Sequence, residues 1–141
     1  MISIGYAFSQ YLEEGGGNAP TGVYFSVSST KRVGFEADVA YHRDSEQFFD
    51  RTIVLNTLIA GGGPRFNFGQ GRARPFLHAL GGVRYDRVED VSNTAFGAIA
   101  GGGVDIPAGS SLSVRVGADF QIFYDEGANL KTLRLALGIT F

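Results

Sequence analysis

The sequence predicts an all-β fold, an eight-stranded antiparallel up-and-down β-barrel that crosses a membrane. The first observation is the C-terminal stretch 131–141, where Leu133, Leu135, Leu137, Ile139 and Phe141 share one face of a strand. A two-residue period over about ten residues is typical of a tilted strand that crosses a bilayer. The second is that the same alternation recurs along the chain. The third is the glycine content: 21 of the 141 residues are glycine, about twice the roughly 7% average of proteins.

Eight alternating segments can be placed, at about 2–11, 21–29, 33–42, 51–66, 75–86, 94–106, 111–124 and 131–141. The connections at 30–32, 67–74 and 107–110 are turn-like, with breakers such as Gly69 and Pro107. The connections at 12–20, 43–50, 87–93 and 125–130 are polar and acidic. An even number of strands brings both termini to one end of an up-and-down barrel. The chain is therefore predicted to be one transmembrane β-barrel domain, 1–141.

Composition excludes several classes of protein. The formal charge of -2 gives no indication of a nucleic-acid partner. No apolar run approaches the roughly 18 residues of a transmembrane helix. Cysteine is absent, which rules out disulfides and thiolate metal sites. Only Lys31 and Lys131 are lysines among the 12 basic residues, and arginine suits carboxylates at close quarters better than lysine does.

Each segment has an apolar face and a polar face. The apolar face is predicted to carry Val33, Phe35, Val39, Tyr41, Ile53, Leu55, Ile59, Leu77, Val83, Tyr85, Phe96, Val104, Ile106, Leu112, Val114, Val116, Phe120 and Ile122. The polar face is predicted to carry Glu36, Asp38, His42, Asn56, His78, Arg84, Asp105, Arg115, Asp119, Gln121 and Arg134 among small residues.

The face that points inward decides the class of protein. An apolar interior would give a soluble, lipocalin-like ligand-binding barrel, but its outer wall of glycine, alanine and serine would solubilise it poorly. An apolar exterior gives a membrane barrel, and eight strands leave an interior that side chains can fill. We favour the membrane barrel and expect the polar set to form a crossed ion-pair network, because buried charges must be paired. Such a network either plugs the lumen or gates a narrow conduit.

The two ends of the barrel differ in charge and carry aromatic residues. Tyr11, Tyr24, Tyr41, Tyr85 and Tyr124 are predicted to form a girdle at the acidic end, and Phe66, Phe68, Phe76 and Phe141 a girdle at the other. The rim at the short-turn end is predicted to hold Lys31, Arg32, Arg65, Arg72 and Arg74, and the short turns contain no acidic residue. Three glycine runs, 61–63, 81–82 and 101–103, are expected to neighbour one another in the wall. They either give curvature and room for large interior side chains or form a flat outer patch where another barrel, a lipid or a helix packs closely.

With these features the chain resembles the small bacterial outer-membrane β-barrels of the OmpA-like transmembrane-domain type. The resemblance is carried by the Phe-terminated last strand, by 74–84 and by 98–105. It implies that Leu135, Leu137, Ile139 and Phe141 form the signal read by the barrel-assembly machinery. It also implies a bacterial outer-membrane location with lipid as a partner, long loops outside and both termini at the periplasmic end.

The expected function is structural: a monomeric or weakly associating barrel with a filled interior that anchors in and helps maintain the outer membrane. A rival function is surface adhesion through an unknown extracellular partner, with Phe48 and Phe49 in loop 43–50 as the contact. We expect no catalytic residues, metal or cofactor. The two histidines, His42 and His78, lack the neighbouring nucleophile of a hydrolase triad.

Overall fold

The computed structural model describes residues 1–12, 20–69 and 71–141, and it leaves out the side chains of Glu46 and Phe48. The described residues form eight β-strands. They are β1 (Ile2–Tyr11), β2 (Thr21–Ser28), β3 (Val33–Phe48), β4 (Arg51–Asn67), β5 (Arg74–Val88), β6 (Val91–Pro107), β7 (Ser113–Asp125) and β8 (Ala128–Thr140). Within the described residues no helix is long and apolar enough to span a bilayer.

The strands form one closed antiparallel barrel in chain order, and β1 pairs with β8 to complete it. The closing seam places Ile4 opposite Ile139 and Tyr6 opposite Leu137. Ile2 and Phe141 exchange two backbone hydrogen bonds of 3.0 and 2.8 Å, so the two chain ends described lie side by side at one end of the barrel. The predicted fold class is confirmed.

Three of the four connections at the opposite end are tight turns, not the loops that the sequence predicts. The strands continue into 43–48, 87–88 and 91–93, and two-residue turns remain at 49–50, 89–90 and 126–127. The prediction failed because alternation of apolar residues marks only the part of a hairpin that faces lipid. Beyond it, polar residues still pair through their backbones, as Gln47 does with Thr52. The predicted loop 12–20 lies mostly outside the described residues.

The outer wall of the barrel is apolar. Large hydrophobic side chains that would be buried in a soluble protein are exposed on every strand. On the seam alone they include Ile4, Tyr6, Leu135, Leu137 and Ile139. A continuous apolar band of this kind is the lipid-facing surface of a transmembrane barrel, because closure leaves no unpaired backbone edge inside the hydrocarbon.

The inward and outward faces of β4 are the reverse of those predicted. Ile59 pairs with Ala40 and is only 2% exposed, inside the barrel. Ile53 and Leu55 share its inward side, and Asn56 consequently faces outward, where it accepts a hydrogen bond of 2.8 Å from the Tyr41 hydroxyl. β4 carries adjacent apolar residues at 53–55 and 58–59, so alternation does not select a face. Pairing with β3 selects it, and a one-residue slip would reverse every side chain.

The aromatic residues are divided between the two sides of the wall. Tyr41, Tyr85 and Tyr124 are exposed on the outer side, and so are Phe66, Phe68 and Phe141. Tyr24 and Phe76 are buried inside the barrel, each about 3% exposed, and Tyr11 lies within hydrogen-bond distance of the inward Arg84. The girdle prediction is therefore wrong for Tyr11, Tyr24 and Phe76. Their positions within a strand would have shown the difference, since each falls in step with inward polar residues of its own strand.

Two of the three glycine runs lie side by side. Gly61 pairs with Gly82 and Gly62 with Gly81. The third run is displaced, because Gly102 pairs with Leu77 and not with the 81–82 run. A Cβ atom on Gly103 would lie 3.0 Å from the ring of Phe76, so this run leaves room for an inward aromatic side chain.

Candidate functional site: the charged interior

The interior near the chain termini holds a network of charged side chains, all nearly inaccessible to solvent. Its members come from six strands, β3 to β8, and are Glu36, Asp38, Arg65, His78, Asp105, Arg115, Asp119 and Arg134. Successive side chains of a strand point to opposite sides of the wall, and on each of the six strands these residues fall on the side that faces the lumen. The network is built from the predicted polar set with one addition, Arg65.

Arg65 is the centre of one half of the network, which also contains Glu36, Asp105 and Arg115. It is 0% exposed. Its Nη1 donates to Glu36 Oε2 at 2.9 Å and its Nη2 to Asp105 Oδ2 at 3.0 Å. Its Nε donates to Asn67 Oδ1 at 2.7 Å. The guanidinium also stacks 3.7 Å from the centre of the Phe76 ring, a cation–π contact in a desolvated site.

Arg115 doubles the contacts of the same two carboxylates. Its Nε and Nη2 donate to the two oxygens of Asp105 at 2.7 and 2.9 Å, a bidentate pair. Its Nη1 lies 3.3 Å from Glu36 Oε1 and 3.2 Å from Ser26 Oγ. Glu36 and Asp105 are thus each held between two guanidiniums, which offsets the cost of burying four charges together.

Arg134 forms the other half of the network together with Asp38 and Asp119. Its Nη1 donates to Asp38 Oδ1 at 2.6 Å, and its Nε and Nη2 reach Asp119 Oδ2 at 2.7 and 2.5 Å. The guanidinium therefore joins β3, β7 and its own strand β8. Because β8 also pairs with β1, this side chain lies beside the seam that closes the barrel.

His78 links the two halves. Its Nδ1 lies 3.0 Å from Glu36 Oε2 and its Nε2 lies 2.8 Å from Asp119 Oδ1. A neutral imidazole carries one N–H, whereas the imidazolium can donate to both carboxylates. With His78 charged, four cations face four carboxylates and the network is electrically balanced. We therefore assign the imidazolium form to His78.

A separate polar group lies toward the other end of the lumen. Arg84 donates from Nε to Asp86 Oδ2 at 2.7 Å and from Nη2 to the Tyr11 hydroxyl at 3.1 Å. Thr57 donates to the second Asp86 oxygen at 2.5 Å. Arg84 is thus inward as predicted, but its ion pair is with Asp86 rather than with a member of the network.

Apolar side chains fill the lumen beside these groups. One cluster joins Ile59, Leu80, Ala95, Ile99 and Phe123, and a second joins Ala7, Tyr24, Ala40 and Ala136. The filled interior is what an eight-stranded barrel is wide enough to hold.

Three predicted residues do not join the ion pairs. His42 and Gln121 are buried, yet neither the His42 ring nitrogens nor the Gln121 amide atoms have a hydrogen-bond partner among the described residues. Asn56 lies on the outer wall, as described above. Conversely, sequence reasoning missed Arg65, which it placed on the basic rim. The alternation of Phe66 and Phe68 was the available signal, since two outward aromatics put Arg65 inward.

The network offers little to a catalytic reaction. Its histidine uses both ring nitrogens on carboxylates, so neither is free to activate a nucleophile. Among the residues that the structure describes, no group of three or more histidine, aspartate or glutamate side chains is arranged to hold a metal ion. What the arrangement does is join strands that are distant in sequence.

Comparisons with known proteins address the fold. No protein-family model matches the sequence, and no curated protein matches it. Neisserial surface protein A is similar in structure, with a TM-score of 0.75 and 13% identity over 98% of this chain and 93% of that one. Ail, the attachment invasion locus protein of Yersinia pestis, gives a TM-score of 0.65 and 18% identity over 99% of this chain and 94% of that one.

The outer membrane enzyme PagL is also similar, with a TM-score of 0.65 and 18% identity over 99% of both chains. The chain therefore has the fold of the small eight-stranded outer-membrane β-barrels. One fold serves a surface protein, an attachment protein and an enzyme, so the fold does not select among these functions.

Proposed function

We propose that this chain spans the bacterial outer membrane as a closed structural barrel, without substrate turnover, as a monomer or weak oligomer. The apolar outer wall supports the location, since it is suited to lipid and not to water. The acidic hairpin end would face outward and the end with both termini would face the periplasm. That wall argues against a soluble ligand-carrying barrel. A stable monomer in detergent-free buffer would support the soluble barrel and contradict the membrane location.

The balanced charge network is the observation that carries the structural role. It ties six strands together through contacts in the lumen, and the ring of Phe76 packs against two of its guanidiniums, those of Arg65 and Arg115. Removing any one member leaves an unpaired buried charge, which lowers the free energy of unfolding by several kcal/mol. An interior of this kind stabilises a closed wall.

Single-channel recording in planar bilayers tests the proposal against a gated conduit. We expect no discrete openings in the wild type or in Arg134→Ala, because the apolar cluster around Ile99 still fills the lumen. Arg87→Ala is the matched control, since Arg87 is an exposed arginine at the hairpin end. Discrete openings in the wild type that Arg134→Ala changes and Arg87→Ala does not would establish the conduit and refute the plug.

Biogenesis supplies a second test of the same proposal. Leu135, Leu137, Ile139 and Phe141 all lie exposed on the lipid face of the closing seam, where the barrel-assembly machinery could reach them before the barrel closes. We expect Phe141→Ala to slow insertion in cells while leaving unassisted refolding into short-chain lipid vesicles unchanged. Equal slowing in both would mean that Phe141 acts only through folding.

Binding by the projecting hairpins is the second candidate, and Phe49 favours it. Its side chain is 103% exposed at the tip of the β3–β4 hairpin, and its φ is 51°. A bulky residue in that left-handed region is strained, and such strain often occurs at functional sites. The side chain of Phe48, the other predicted contact, lies outside what the structure describes.

Adhesion of bacteria to epithelial monolayers tests this candidate. Cells that display the Phe48→Ala/Phe49→Ala variant should lose adhesion that wild-type cells show, while the protein keeps its heat-modifiable migration in gels. Arg87→Ala, on the neighbouring hairpin, serves as the control. Unchanged adhesion of the double variant would remove the hairpin tip as a contact.

A further inference from the structure

The termini end of the barrel has a strongly basic surface. Its turns and their edges carry four exposed basic side chains, those of Lys31, Arg32, Arg72 and Arg74. The turn sequences 29–32, 68–73 and 108–112 contain no aspartate or glutamate. The acidic residues of the hairpin end, in contrast, outnumber the basic ones there. The charge at the termini end is therefore not neutralised within its own turns.

A recess opens between the β2–β3 and β4–β5 turns at this end. One lobe has a volume of about 390 Å³ and is lined by Met1, Thr30, Asn67, Gly69, Arg74 and Asp105. The other has a volume of about 310 Å³ and is lined by Thr30, Arg32, Asn67, Phe68 and Gly69. The lobes share Thr30, Asn67 and Gly69, so they form one recess with an arginine in each lobe.

The recess is rigidly built. The side-chain amide of Asn67 donates to the carbonyls of Ser29 and Lys31 at 3.1 and 2.7 Å. Its own oxygen accepts from the buried Arg65. The backbone N–H of Asn67 donates to the Arg32 carbonyl at 2.8 Å. The turn that carries Arg32 is thus fastened to the charged interior.

Gly69 gives the β4–β5 turn the backbone shape that lines the recess. Its φ of +77° is a conformation that residues with a Cβ rarely adopt, and a Cβ there would meet only the Ala73 carbonyl, at 3.9 Å. The one carboxylate of the recess, Asp105, already accepts hydrogen bonds from Arg65 and Arg115 on both oxygens. Its charge is therefore balanced within the barrel and the recess keeps a positive surplus.

We propose that this recess binds the phosphate diester of an anionic phospholipid in the leaflet that surrounds the termini end. Guanidiniums bind phosphate oxygens with paired N–H donors, and the Thr30 hydroxyl adds a further donor. An anionic headgroup is favoured over a zwitterionic one, because the turns offer no free carboxylate to an ammonium group. Basic side chains at the membrane surface attract anionic lipids in the same way. The inference rests on the proposed position of the chain across a bilayer.

Titration of the folded barrel in detergent micelles tests the site. Short-chain phosphatidylglycerol, short-chain phosphatidylcholine and inorganic phosphate are added separately, and the backbone amide shifts of Thr30 and Gly69 are followed by NMR. We expect saturable shifts with phosphatidylglycerol and none with the other two. Arg32→Gln/Arg74→Gln should weaken binding by roughly tenfold or more, since charged hydrogen bonds are lost.

The control is Arg51→Gln/Arg87→Gln, which removes two exposed arginines from the hairpin end and should bind phosphatidylglycerol as the wild type does. Equal binding of phosphatidylcholine, or of inorganic phosphate, would overturn the lipid assignment, as would the absence of any saturable shift. Heat-modifiable migration of every variant reports whether the barrel is closed. A closed wild-type barrel that does not bind refutes the recess alone, whereas a wild-type chain that does not close refutes the proposed function.

Discussion

Replacing Arg65 with leucine is the sharpest perturbation of the interior. The change removes hydrogen bonds to Glu36, Asp105 and Asn67 together with the stacking on Phe76. It leaves four carboxylates facing three cations in a site that solvent does not reach. Breaking a buried pair by removing one partner costs about 3–5 kcal/mol. We expect the free energy of unfolding to fall by about that amount.

The assay is urea unfolding of the barrel in lipid vesicles. Heat-modifiable gel migration reports the folded fraction, and tyrosine fluorescence provides a second probe, because the chain has six tyrosines and no tryptophan. Arg87→Leu is the matched control: it removes an exposed arginine and should change stability by less than about 0.5 kcal/mol.

Adding Glu36→Gln to Arg65→Leu separates charge balance from lost packing. The second change restores neutrality, so the double variant should be more stable than the sum of the two single effects by about 0.5–3 kcal/mol. Additive effects, or a loss below about 1 kcal/mol for Arg65→Leu alone, would refute the view that Arg65 is a necessary counter-ion of the network.

Three further outcomes are expected. His78→Gln should lower the free energy of unfolding by about 3 kcal/mol in the same assay, because an amide has one donor group to offer where the imidazolium serves two carboxylates. An unchanged stability would contradict the charged form of His78. Gly101→Ala should be strongly destabilising, because its Cβ would clash with the Asp119 carboxylate. Gly81→Ala should be tolerated, because its Cβ would meet nothing within 4 Å. Equal unfolding curves for the two variants would show that the wall adapts to the added side chain. Phe49→Gly should raise stability by up to about 1 kcal/mol by relieving the positive φ, and a decrease would mean that the phenyl ring packs on the hairpin.

The sequence predicted well what depends on alternation alone. The eight strands, their antiparallel order and the lipid face of β8 follow from a two-residue period. That period does not report where a hairpin ends once both faces are polar, so it predicts loops at 43–48 and 87–88, where the strands continue. It also does not select a face where apolar residues are adjacent.

Arg65 shows the consequence of the second limitation. On β4, the face was assigned from Ile53, Leu55 and Ile59, and the error moved one arginine from the centre of the network to the rim. The local pattern of Phe66 and Phe68 opposes that of Ile53, Leu55 and Ile59, and the pairing with β3 decides between them. Pairing is a property of two strands, and it cannot be read from the pattern of one.

The glycine content acquires its physical reason from this pairing. Large inward side chains lie directly across from inward glycines on a neighbouring strand. The pairs are Tyr24 with Gly5, His42 with Gly22, Arg65 with Gly34, Asp38 with Gly61, Glu36 with Gly63, Phe123 with Gly97, His78 and Asp119 with Gly101, Phe76 with Gly103, and Arg115 with Gly138. An eight-stranded lumen is barely wide enough for side chains, so at these pairs the missing side chain of glycine makes room for the guanidinium, ring or carboxylate across from it. The abundance of glycine and the scarcity of lysine are therefore two aspects of one constraint: the chain places planar, densely bonded cations in a narrow lumen and removes the neighbours that would exclude them.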